Sequence, residues 1–218
     1  MSSHGPVVVL AALAALVTLA NWWSRWRDDP KLELWTKPFA TVVIAAFGVA
    51  CALDGAEHAP TGALVAAIVA FVFCLGGDVA LMSAVDKFVV GLGSFLLGHL
   101  VFVVMFVILG LDRWWLGLVA LGIAAVVIAT VGRRVVAGAV ATAPAYAMPV
   151  RAYLVVISAM AIVGWSTGRP AAVVGSSLFL LSDSILGWEI FVAKKRWMPV
   201  AIMVTYHGAL AGLALSLW

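Results

Sequence analysis

The chain has 218 residues, of which 65% are hydrophobic and only 11% charged, and its mean hydropathy is +1.16. Soluble domains run at about 45–50% apolar and about 25% charged, and disorder requires low hydrophobicity with high charge, so both classes are excluded. The formal net charge of +3 is too small to argue for a nucleic-acid partner.

At roughly 20 apolar residues per bilayer crossing, the hydrophobic length predicts an all-α polytopic membrane protein of about eight helices. Little remains for loops, so residues 1–218 read as one transmembrane domain. In chain order the runs are Pro6–Trp23, Pro38–Leu53, Thr61–Met82, Phe88–Leu109, Trp114–Val131, Pro149–Trp165, Pro170–Phe191 and Met198–Trp218. Pro38, Pro149, Pro170 and Pro199 fall at or near starts, where a missing N–H costs nothing. None of the runs alternates as a barrel strand would. The tryptophans gather near the ends of the runs, as an aromatic belt does. Cys51 and Cys74 lie inside apolar runs and read as free thiols.

Orientation follows from the cations. Arg25, Arg27, Lys31 and Lys37 surround the first connection, Lys87 the third, Arg133, Arg134 and Arg151 the fifth, and Lys194, Lys195 and Arg196 the seventh. The other side has Arg113 and Arg169, and its first loop carries Asp54, Glu57 and His58. This bias puts the odd-numbered loops in the cytoplasm and both termini outside. With no basic segment before it and Arg25 and Arg27 after it, the first run reads as an uncleaved anchor rather than a signal peptide.

Ionisable residues inside spanning helices are functional candidates. Asp78, His99, Asp183 and His207 are the four here. Positions three and four from Asp78 are Cys74, Leu75, Leu81 and Met82, and those around Asp183 are Phe179, Leu180, Leu186 and Gly187. Each carboxylate must therefore find a partner on another helix or hold its proton. At 1.5 Å per residue the aspartates lie within about 10 Å of the cytoplasmic boundary and the histidines roughly 16–18 Å in. Lys37 and Arg151 flank helix starts at a compatible depth. Each half of the chain thus offers a cation, a carboxylate and an imidazole, as two parallel four-helix repeats would. Chance resemblance of amphipathic helix ends accounts for the same match.

Tyr153 and Tyr206 read equally as interfacial packing, and Ser182 and Ser184 as hydroxyls bonded back to a carbonyl. No Gly-x-Ser-x-Gly elbow and no His-Glu-x-x-His zinc signature occurs.

The chain resembles the YhhN family of eight-helix membrane proteins, whose characterised members are lysoplasmalogenases. The resemblance is carried by Lys37-Pro38, Leu75-Gly76-Gly77-Asp78 with Leu81-Met82, and Gly91-Leu92 through Phe95-Leu96-Leu97-Gly98-His99. It continues through Tyr153, Met160, and Gly175 to Phe179-Leu180-Leu181-Ser182-Asp183-Ser184. The last helix departs from the family pattern at His207 and at Ala209-Leu210.

The resemblance implies hydrolysis of the vinyl ether of an alkenyl lysolipid to a fatty aldehyde and a glycerophospho-base, by a multi-pass protein of the cell membrane, of the bacterial inner-membrane type. Such a bond is cleaved by protonating the β-carbon and trapping the oxocarbenium ion with water. Two desolvated carboxylates sharing a proton suit that step. The expected catalytic residues are Asp78 and Asp183, with His99 positioning water or a carboxylate and Tyr153 donating a hydrogen bond. Lys37 and Arg151 are expected on the substrate phosphate, with Ser182, Tyr206 and His207 completing the binding site. No metal or organic cofactor is required, and the partners are the lysolipid and membrane lipid, without nucleic acid. Two other readings stay open: a zinc hydrolase with Asp78, His99, Asp183 and His207 as ligands, and a proton-coupled carrier of small molecules or lipids.

Overall fold

The computed structural model describes residues 5–55, 59–82 and 85–218. Among them eight helices are long and apolar enough to cross a membrane, and no strand occurs. They are α1 (Gly5–Arg27), α2 (Pro30–Asp54), α3 (Thr61–Ala80), α4 (Phe88–Leu109), α5 (Trp114–Thr142), α6 (Ala147–Ser166), α7 (Pro170–Phe191) and α8 (Met198–Leu215). Glu57 and His58, expected in an acidic loop, lie outside the described residues.

Several boundaries differ from the sequence reading. The first run does not stop at Trp23: α1 continues to Arg27, and Asp28, at φ 54°, turns the chain. A short polar side chain tolerates that left-handed backbone. The Asp29 carboxylate then caps α2 by accepting from the backbone N–H of Lys31 (3.0 Å) and Leu32 (3.1 Å), with Pro30 in the first turn. Thus α2 starts at Pro30 rather than Pro38. Pro38 lies inside the helix, where it removes one rung of the hydrogen-bond ladder. Arg25, Arg27 and Lys31 of this connection therefore sit on helix ends, and Lys37 lies two turns inside α2, not in a loop.

The fifth run does not end at Val131. A π-helical turn at Ile128–Gly132 carries the chain into Arg133 and on to Thr142. The resulting 29 residues measure about 43 Å at 1.5 Å per residue, more than the roughly 30 Å hydrocarbon core. Arg133 and Arg134 are therefore helical and exposed. After a 3-10 turn at Pro144–Tyr146, α6 starts at Ala147, so Pro149 does lie in a first turn. The last helix ends at Leu215, short of Trp218.

Small residues set the helix contacts that matter for the site. A Cβ on Gly175 of α7 would lie 2.7 Å from the Leu213 backbone nitrogen and 3.1 Å from the Ala209 carbonyl oxygen. That crossing draws α7 and α8 into backbone contact, as small residues do between membrane helices. A Cβ on Gly48 would lie 2.5 Å from that of Ala214, so α2 also meets α8 closely. Helix α2 packs on α3 and α8, while α6 packs on α7 and α4. Cys51 and Cys74 are buried free thiols. Across the bundle runs an aromatic layer: Phe95 and Phe179 set their rings 5.8 and 5.5 Å from Tyr206, and His99 sits 4.5 Å from Phe179 and 5.4 Å from Tyr153. Large apolar residues such as Val72, Val126 and Val155 remain exposed, on a surface that would face lipid.

Candidate active site

The site is built on α2. Residues three and four apart share a helix face, and Glu33, Lys37 and Thr41 follow one another at that spacing, all buried. Asp78, near the end of α3, lies against this stripe and is fully buried. Thr41 Oγ1 donates to its Oδ2 at 2.5 Å, and Lys37 Nζ lies 3.7 Å from Oδ1. Tyr206 of α8 donates to Oδ2 at 2.8 Å. The carboxylate that has no partner on its own helix thus has three on two others, the arrangement a buried ion requires.

Asp183 is held more sparingly. It accepts a hydrogen bond from the Tyr153 hydroxyl of α6. Among the described residues no cation stands within ion-pair distance of it.

Asp78 and Asp183 line the same cavity, about 160 Å³ in volume, together with Lys37, Ser182 and Tyr206. Arg25, Glu33 and Glu189 stand toward its mouth and Phe95, Leu186 and Met203 supply apolar wall. Arg25 and Glu33 form an ion pair of 2.5 Å, and Glu189 pairs with exposed Lys194 at 3.6 Å. The space is therefore small, polar at its floor and ringed by matched charges. It can desolvate a reacting group while presenting two carboxyls to it, which is what acid–base work on a weakly basic carbon needs.

Asp78, Asp183, Tyr153, Tyr206, Lys37 and Ser182 are thus drawn together, but several expectations change. Lys37 does not flank a helix start: it is buried inside α2, lining the cavity with its ammonium 3.7 Å from the Asp78 carboxylate. Arg151 is exposed on the outer side of α6 and is not part of the cavity wall. Ser182 spends its hydroxyl proton on the Ile202 carbonyl (3.1 Å), tying α7 to α8, and Ser184 bonds back to Leu180 (2.6 Å).

His99 is fully buried between the Tyr153 and Phe179 rings, behind the cavity, and neither ring nitrogen has a protein partner. His207 faces the other way: its Nδ1 accepts from the Trp22 indole at 3.0 Å. Among the described residues no three His, Cys, Asp or Glu side chains gather as a metal site. The two histidines that a zinc reading needs thus lie in different surroundings.

Sequence reasoning missed Arg25, Glu33, Thr41 and Glu189. Glu33 and Thr41 carried a usable signal. Asp29-Pro30 is a helix-start pattern, and a helix begun there puts residues 33, 37 and 41 on one face. Glu189, inside the run Pro170–Phe191, was not singled out.

These features define a multi-pass helical membrane protein with a charged cavity between its helices. Residues 32–217 match the sequence profile of the YhhN family, and the chain belongs to that family. No curated protein and no solved structure matches it.

Proposed function

We propose that this protein hydrolyses the vinyl ether bond of alkenyl lysolipids, with Asp78 and Asp183 as the acid–base pair. The observation that carries the reading is their joint presence in one small cavity, each bonded to a tyrosine from another helix, in a chain of the YhhN family.

The unequal surroundings of the carboxyls support unequal roles. Asp78, matched by Lys37, is the ionised partner. Asp183, bonded by a single phenol, carries the proton on its other oxygen and delivers it to the β-carbon of the vinyl ether. The π electrons form the new C–H bond, leaving an oxocarbenium ion opposite the Asp78 carboxylate. Water adds to the α-carbon and loses its proton to Asp78. Collapse of the hemiacetal returns that proton to the departing glycerol oxygen, while the hemiacetal hydroxyl gives its own to Asp183. Both carboxyls end as they began, with aldehyde and glycerophospho-base released. Tyr153 and Tyr206 fix the carboxyl orientations, and His99 positions Tyr153 through ring contact. Arg25 at the mouth takes the phosphate contact expected of Arg151. None of these steps calls for a metal.

The cation distribution supports a mouth on the cytoplasmic side of the cell membrane, with both termini on the other. Exchange of the first four helices with the last four interchanges the neighbours of α2 and α6, which supports a two-fold parallel repeat. The test is release of fatty aldehyde by purified protein from alkenyl and ester lysolipids of equal chain. Aldehyde release lost in both Asp78→Asn and Asp183→Asn is the expected result. Release of fatty acid from the ester alone overturns the reaction assigned here. Lipid or solute movement across vesicles without cleavage would favour the carrier.

A further inference from the structure

The cavity that holds the two aspartates measures about 160 Å³, whereas a pocket that buries a drug-sized molecule takes roughly 300–1,000 Å³. A single-chain lipid cannot fit within it. With its reactive bond at the aspartates and its headgroup toward Arg25 and Glu33, its hydrocarbon must leave the cavity through the wall.

Three apolar grooves run along the flanks of the bundle, between α2 and α3, beside α5 and α7, and beside α1 and α8. They differ in their relation to the site. The groove beside α5 and α7 reaches Ser184, whose hydroxyl bonds back into its own helix. The groove beside α1 and α8 reaches His207, which is engaged by Trp22. Only in the α2–α3 groove does a lining residue bond directly to a site aspartate: Thr41 forms its inner end and donates to Asp78 at 2.5 Å. Leu75, one turn before Asp78 on α3, lines the same end.

From Thr41 the groove runs away from the mouth to Leu53, between Val49 of α2 and Ile68 and Val72 of α3. Twelve residues of helix give it about 18 Å, slightly more than one leaflet of a roughly 30 Å hydrocarbon core. Its volume is about 500 Å³ and its wall is almost wholly apolar. Thr41 lies about 16 Å along α2 from Pro30, near mid-membrane, and Leu53 is one residue from the far end of the helix, so a lipid with its headgroup at the mouth sends its chain past the midplane into the half of the bundle opposite the mouth.

We infer that the α2–α3 groove is the hydrocarbon subsite of this protein, holding the chain of a single-chain ether lysolipid that crosses Thr41 to reach the aspartates. The inference rests on the hydrolase reading above. Thr41 is its threshold and the groove sets which chains are turned over.

The test uses the full-length protein in diacyl phosphatidylcholine nanodiscs, with a non-cleavable alkyl-ether lysolipid carrying a diazirine at the chain end. Photolabelled residues are mapped by peptide mass spectrometry. Labelling at Leu53, Ile68 or neighbours, suppressed by excess unlabelled lysolipid, is expected. Labelling concentrated in either other groove, or labelling that excess lysolipid leaves unchanged, as bulk lipid would give, overturns the inference. Ala46→Trp, which fills the groove from its α2 side, provides the kinetic arm. It should lower kcat/KM for long alkenyl chains by about tenfold, as the displacement of two methylenes would, while short chains keep wild-type turnover. An unchanged chain-length profile also overturns it. Groove labelling in a wild-type protein that releases no aldehyde would refute the hydrolase reading and leave the groove standing.

Discussion

Removing one phenolic oxygen at a time separates the roles of the two carboxyls. Tyr206→Phe deletes the 2.8 Å donor to Asp78, yet leaves Thr41 at 2.5 Å and Lys37 at 3.7 Å in place. The ring keeps its packing on Phe95 and Phe179. Tyr153→Phe deletes the one side-chain hydrogen bond that Asp183 receives among the described residues, while its ring stays against His99. A hydrogen bond to a charged group contributes about 1.5–3 kcal/mol, and each 1.36 kcal/mol is about tenfold in rate. Asp78, with two partners remaining, should show the lower end, about tenfold in kcat. Asp183, with none remaining, should show the upper end, about 100-fold or more. The assay is aldehyde release from an alkenyl lysolipid at saturating substrate, with the unfolding midpoint in detergent measured for each variant. If Tyr206→Phe costs as much as Tyr153→Phe, or if Tyr153→Phe stays within about twofold of wild type, the division of labour between acid and ionised partner is wrong.

Asp78→Asn and Asp183→Asn should each abolish aldehyde release while yielding extractable protein with wild-type helical circular dichroism; residual turnover in either would remove that carboxyl from the chemistry. Lys37→Met leaves a buried carboxylate unpaired, a loss of about 3–5 kcal/mol, so its unfolding midpoint should fall and Lys37→Met/Asp78→Asn should regain most of the loss; absence of that rescue would mean the pair is not energetically coupled. Arg151→Gln should leave KM unchanged and Arg25→Gln should raise it, as steady-state kinetics with alkenyl lysolipid would show; the opposite pattern restores Arg151 to the phosphate. Gly175→Ala should destabilise by about 1–3 kcal/mol through overpacking, seen in the detergent melting midpoint, because its Cβ would meet the α8 backbone at 2.7 Å.

Much of this architecture is legible from hydropathy because lipid imposes one constraint on every spanning segment: twenty or so apolar residues with all backbone groups satisfied. Helix α4 and helix α7 occur with the ends expected of them. Errors arose where the chain leaves the hydrocarbon yet stays helical. Pro30 to Lys37 is too polar to count as a crossing, but the Asp29 cap begins the helix there, and the π turn in α5 conceals a continuous helix behind a change of composition.

The aspartates stood out because nothing on their own helices answers them. Their partners were harder to see. Thr41 and Tyr206 are ordinary membrane-helix residues until tertiary packing aims them at Asp78. Arg151 misled because sequence depth fixes a residue's height in the membrane but not the side of the helix it occupies.

The ion pair between Lys37 and Asp78 also bears on how this chain enters a membrane. Each side chain, presented singly in a spanning segment, opposes insertion, by about 2.5–3.5 kcal/mol at the centre and less toward the ends where Lys37 and Asp78 lie. They reside on α2 and α3, which follow one another in synthesis and pack together in the finished bundle. If the two segments leave the insertion machinery as a hairpin, each arrives with its counter-ion and the opposition is shared and reduced. Asp183, five helices after Lys37, has no such escort. The hydroxyl that receives it comes from α6, already in place when α7 emerges. The order of the chain therefore delivers each acidic group to a membrane where its partner is present or entering beside it.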